Sequence, residues 1–137
     1  PMPACQILIY PATRMVNFET KSRRELDAGV TLDKRLIDYF NDMYLGGIDY
    51  DGGDPRLNPA LAEELSGLPP THIITAEYDP LRDEGEEYGR LLNQAGVAAS
   101  YHCYEGLMHN FILQTAVVPA ANRAVKDCAG FLRYQLL

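Results

Sequence analysis

Short unbroken apolar runs alternate along this chain with longer segments in which apolar residues recur every third or fourth position. "CQILIY" (residues 5–10) is one such run, closed by Pro11, and it predicts a buried parallel strand. In "TLDKRLIDYFNDMYLGG" (31–47) Leu32, Leu36, Phe40 and Met43 fall on one helical face, with Thr31 placed to cap the start and Gly46 to end it. "THIITAE" (71–77) and "AASYHCY" (98–104) predict a second and a third strand. Between them, residues 80–95 put Leu81, Gly85, Tyr88, Leu91, Leu92 and Ala95 on one face of a helix, and a last helix is predicted over 114–136. Residues 12–30 read as irregular, "IDYDGGDPRLNP" as loop, and "ALAEELS" as a short helical piece before a break at "GLPP". Strands that alternate with helices imply an α/β fold of about three parallel strands, flanked by helices and joined by right-handed crossovers.

With 137 residues, 47% of them hydrophobic and 23% charged, the chain suits one globular domain and cannot hold two. The net charge of −7 and the absence of a basic stripe argue against a nucleic-acid surface, which needs clustered Lys and Arg. Its apolar runs fall well short of the roughly 18 residues of a membrane helix, so a soluble chain without a membrane span is expected. Cys5, Cys103 and Cys128 form no CxxC pair. Their odd number fits a reducing, cytoplasmic setting better than a disulfide framework or a zinc site. Cys103 adjoins His102, but neighbouring strand residues point to opposite faces, so no Cys–His nucleophile is expected. "DYDGGD" (49–54) lacks the spacing and the late bidentate Glu of a calcium loop and reads as turn chemistry.

Asp79 and Pro80 open the helix predicted over 80–95: an N-cap carboxylate accepts orphan backbone N–H bonds, and proline suits the first helical position. Asp83 and Glu84, in its first turns, favour the positive end of the helix dipole. His72 and His102 read as ordinary strand residues. Asp79 also lies just past the second strand and His109 just past the third, at the carboxyl ends where open α/β sheets bind ligands. Adjacent strands run about 5 Å apart, so a carboxylate and an imidazole on the two loops can come within hydrogen-bond range.

"GLPPTHIITAEYDPLRDEGEEYGRLLNQAG" followed by "YHCYEGLMHNF" resembles the C-terminal part of the hormone-sensitive-lipase-like branch of the α/β-hydrolases, the G-D-X-G family of bacterial carboxylesterases and lipases. "QILIYPAT", "YFNDMYLGG" and "DPRLNPALAEELSGLPP" are similar to the segments of that family that lead up to the acid strand, so the likeness covers nearly the whole chain. It implies a triad in which Asp79 is the acid and His109 the general base, Asp79 serving as cap and catalyst together. It also implies a serine in a G-x-S-x-G elbow and an HGGG-type oxyanion loop, both upstream of the acid. Neither motif is present; the serines are Ser22, Ser66 and Ser100. The expectation is therefore that residues 1–137, which begin at Pro1, form the C-terminal part of a single α/β-hydrolase domain, inactive alone.

The parent would hydrolyse short to medium acyl esters through an acyl-serine, with no metal or organic cofactor. Rival readings are a non-catalytic interaction or dimerisation module made from half a hydrolase sheet, and a hydrolase of peptide or thioester bonds. The resemblance implies a homodimer through residues 98–104, and the first edge at "QILIY" is expected to be exposed. Leu107, Met108 and Phe111 flank His109 and either line an acyl or alcohol pocket or pack the loop against the last helix. The family usually has "HGF" where this chain has "HNF", so Asn110 is expected to take a left-handed conformation, which Asn tolerates.

Overall fold

A strand buried on both faces needs an apolar side chain at every position, and the run that meets this condition best forms the centre of the sheet. In the computed structural model, which describes residues 2–15, 18–28, 31–48 and 50–137, β1 (Gln6–Ile9), β2 (Thr71–Tyr78) and β3 (Ala99–Met108) are parallel and lie in that order. Ile73, Ile74 and Ala76 of β2 have no exposed surface. All four residues of β1 are only half-buried, because β1 is an outer strand. The register pairs Gln6 with Thr71 and Thr71 with Ala99, and the Gln6 amide donates to Thr71 Oγ1 at 2.8 Å.

Alternation along β2 divides the core in two. Ile74 and Ala76 pack with Tyr104, Phe111 and the Ala121, Ala124 and Cys128 stripe of one covering helix, α4 (Pro119–Leu136). On the other face, Ile73 packs with Tyr88 and Leu92 of α3 (Arg82–Gln94), together with Val97 and Ala60. The same alternation separates His102, whose ring lies 4.4 Å from Tyr104, from Cys103 on the opposite face.

Several boundaries move from their expected places, each for a local reason. A five-residue helix, α1 (Lys21–Glu25), stands in the stretch that reads as irregular, capped by the Thr20 hydroxyl accepting from Arg23 N–H at 3.0 Å; five residues are too few to show a helical period. Helix α2 (Lys34–Leu45) is capped by Asp33, which accepts from Leu36 N–H at 2.7 Å, and not by Thr31. Gly46 ends it at φ +59°, as expected. Its apolar face does not meet this chain's core: Leu32 is buried, but Phe40 is 54% and Met43 67% exposed. Pro59–Leu61 makes one 3-10 turn where a longer helical piece is expected, and α4 starts at Pro119 after a separate 3-10 turn, Phe111–Gln114. Among the described residues no helix is long and apolar enough to cross a membrane.

Candidate active site at the carboxyl ends of β2 and β3

Asp79 follows β2 directly, and α3 begins three residues later, with Leu81 in the cap position and no side-chain cap. The expected N-cap is thus an Asx turn instead: Asp79 Oδ1 accepts from Leu81 N–H at 2.8 Å, while the Asp79 carbonyl accepts from Arg82 N–H at 3.0 Å. One carboxylate oxygen is thereby bound to the backbone, which leaves the other available to a second donor. That second oxygen, Oδ2, lies 2.8 Å from Nδ1 of His109. Asp79 is fully buried and the His109 side chain 14% exposed, so water competes weakly for this contact.

The histidine reaches that position because β3 is longer than its apolar pattern predicts. Ala76 faces Tyr104 and Tyr78 faces Met108, so two steps along β2 match four along β3. The extra residues form a bulge around Gly106 at φ +72°, whose N–H donates to the Glu77 carboxylate at 2.7 Å. Gly106 lies past the strand expected over 98–104, so the apolar pattern alone places no bulge there. Asn110 then turns the chain at φ +67°, in the expected left-handed conformation, and Thr31 Oγ1 donates to the His109 carbonyl at 3.0 Å.

Once Nδ1–H donates to Asp79, the neutral imidazole carries its lone pair on Nε2, which makes no hydrogen bond among the described residues. The ring of Tyr10 stands 4.5 Å from the imidazole and 5.9 Å from Phe111. Burial and the nearby charge of Asp79 push the Tyr10 phenol above its ordinary pKa. Nothing in the sequence pattern singles Tyr10 out.

Leu107, Met108 and Phe111 divide between the core and the surface. Phe111 is 2% exposed and packs with α4, Leu107 packs beside it, and Met108 lies at the strand end, 38% exposed. A groove of about 530 Å³ is lined by Phe18, Arg23, Ile37, Asn41, Leu45 and Pro80, the residue after Asp79, among others, and none of the three residues lines it. His72 is a strand residue: Nδ1 pairs with Ser100 Oγ at 2.8 Å, the ring stacks on Phe131, and burial lowers its pKa. In the "DYDGGD" turn, Asp49 lies outside the described residues, Asp51 accepts from Gly53 N–H, and Arg56 holds the Asp54 carboxyl down to about 2. Among the described residues no three His, Cys, Asp or Glu side chains gather to hold a metal ion.

Residues 1–113 match a protein family described by the alpha/beta hydrolase fold. The chain is 46% identical over 112 residues to carboxylic ester hydrolase LipN of Mycobacterium tuberculosis, with 82% of this chain and 30% of that protein aligned. It is 40% identical to esterase LipI of the same organism, over 96% of this chain and 41% of that protein. Among solved structures, an esterase of Pyrobaculum calidifontis superimposes with a TM-score of 0.87 at 39% identity, covering 93% of this chain and 41% of that one. EstE1, a carboxylesterase from a metagenomic library, gives 0.92 at 34% identity, over 98% and 46%. The chain thus spans less than half the length of the relatives it matches.

Proposed function

Because the chain belongs to the α/β-hydrolase fold family, in the hormone-sensitive-lipase-like branch whose motifs it carries, we propose that it supplies the acid and the base of a serine carboxylesterase. The observation that carries this reading is the 2.8 Å contact between Asp79 Oδ2 and His109 Nδ1, made by a fully buried carboxylate beyond two parallel strands. The nucleophilic serine and the oxyanion donors belong, in this proposal, to a segment outside this sequence.

His109 Nε2 takes the proton of the serine hydroxyl as its oxygen attacks the ester carbonyl. It then returns that proton to the departing alcohol, leaving an acyl-serine. Water then attacks the acyl carbon while giving a proton to the same nitrogen, which passes that proton to the serine oxygen as the acyl–oxygen bond breaks and the acid leaves. Asp79 holds the Nδ1–H tautomer through both steps and stabilises the imidazolium without accepting its proton. Short to medium acyl esters are the proposed substrates, in keeping with the relatives' names as ester hydrolases.

The test is hydrolysis of p-nitrophenyl butyrate by the polypeptide that joins this sequence to its serine-bearing segment. Asp79→Asn leaves the imidazole without a charged partner and in the wrong tautomer, and is expected to lower kcat by about 10⁴-fold. His109→Gln should do at least as much, and residues 1–137 alone should neither turn over substrate nor label with a fluorophosphonate. Activity of Asp79→Asn within a few-fold of the unaltered enzyme would overturn the assignment.

A further inference from the structure

We propose that Tyr10 is a positioning residue for the His109–Asp79 pair: its ring, swung across the sheet by a left-handed turn at the end of β1, walls one side of the imidazole. The importance of this for hydrolysis rests on the triad reading above; the contact itself does not.

Side chains of β1 alternate as a strand requires, Ile7 and Ile9 packing on the α4 side and Leu8 on the α3 side. Continued alternation would send residue 10 to the α3 side. Tyr10 instead packs on the α4 side, with Ile7 and Ile9. The cause is its φ of +38°, a conformation that an aromatic residue rarely adopts and that a following proline, here Pro11, disfavours further. The Tyr10 N–H donates to the Ile74 carbonyl at 2.7 Å, so the turn is tied to the central strand. Two consecutive side chains on one face place the phenol ring against His109, 4.5 Å away and tilted by 54°, and edge-on to Phe111.

A single hydrogen bond fixes a point on a ring but not the plane of the ring. With Nδ1 anchored on Asp79 alone, the imidazole can still rock about that bond and carry Nε2 away from a substrate-side proton. The Tyr10 ring blocks this motion on one side, and its negative face is well suited to the imidazolium that forms in each step. Burial and the Asp79 charge both favour the neutral phenol, so Tyr10 acts as an uncharged wall.

The test compares Tyr10→Phe, Tyr10→Ala and Tyr10→Gly by proton NMR of the low-field His109 Nδ1–H resonance, identified by its loss in Asp79→Asn. Tyr10→Phe keeps the ring and should keep the resonance. Tyr10→Ala and Tyr10→Gly should broaden it through faster exchange with water. Glycine accepts a positive φ without strain, so a loss in Tyr10→Gly belongs to the missing ring and not to a disturbed backbone. In the serine-containing polypeptide the two truncations should lower kcat by about tenfold to a hundredfold, as a slightly misplaced catalytic group does. KM for p-nitrophenyl butyrate should stay within about threefold, since ground-state binding is untouched. An unchanged resonance and kcat in Tyr10→Gly would overturn the proposal, as would a Tyr10→Phe protein that loses as much as Tyr10→Ala. Hydrolysis that survives Asp79→Asn would sink the triad reading instead, while the NMR comparison would still judge the ring contact.

Discussion

At the scale of single residues, Glu84 is held by more of the molecule than any local rule suggests. It is fully buried; Arg23 meets one carboxylate oxygen through Nη2 at 2.7 Å and Nε at 2.9 Å, and the N–H groups of Thr13 and Arg14 meet the other. Burial still raises its pKa, outweighing the opposing pull of Arg23 and the two N–H donors. The folded protein therefore binds this proton more tightly than the unfolded chain does. Its contribution is most favourable below the ordinary value of 4.5 and weakens as pH rises from there toward the raised folded value. Arg23→Ala leaves the carboxylate buried without its cation, and should cost about 3–5 kcal/mol at neutral pH. The loss should shrink in acid, where Glu84 takes up its proton. Urea unfolding of both proteins at pH 7 and pH 4 measures this, and an equal loss at the two pH values would refute it. Asp83 and Glu84 were legible as residues suited to a helix start, but Arg23 lies 61 positions away, beyond the reach of any local pattern.

Among elements, the join between α3 and β2 decides where Asp79 sits. A Cβ on Gly85 would lie 2.8 Å from Thr75 Cγ2, and the Thr75 hydroxyl is paired with the Tyr101 hydroxyl at 2.8 Å, so the methyl cannot turn aside without breaking that bond. Gly85→Ala gains about 1 kcal/mol in helix propensity. Overpacking costs about 1–3 kcal/mol, so the net expectation is a loss. Gly89→Ala should be milder, because its added methyl would press at 3.3 Å on the far end of Ile73. Chemical denaturation of the two variants ranks them; a stabilised Gly85→Ala would mean that α3 shifts freely over β2. The helix periods of α2 and α3 are readable in the sequence, and a last helix is expected over 114–136, whereas α1 and the bulge in β3 are not readable. α1 is too short to show a period, and the bulge depends on what β2 presents opposite Gly106.

For the whole molecule, both outer strands of the described sheet, β1 and β3, have one unpaired side. Ser100 and His102 of β3 are exposed, and we propose that two copies pair through this strand. Sedimentation velocity should then detect a species of twice the chain mass that His102→Lys weakens, because a charged edge resists strand pairing. A single species of one chain's mass at all concentrations would remove the proposal. Sequence pattern determined the parallel sheet, its three strands and the chain positions of Asp79 and His109, because burial on both faces and the carboxyl-end rule are written in adjacent residues. The triad roles came from family resemblance. Only the tertiary structure decided that Asp79 turns one oxygen to the backbone and the other to His109, that Tyr10 crosses to the histidine's face, and that Glu84 meets Arg23. It also left the apolar face of α2 uncovered by this chain's core. Apart from the Asx turn, these outcomes depend on residues far apart in sequence, up to 99 positions between Tyr10 and His109 (109 − 10), and local propensity holds no term for such contacts.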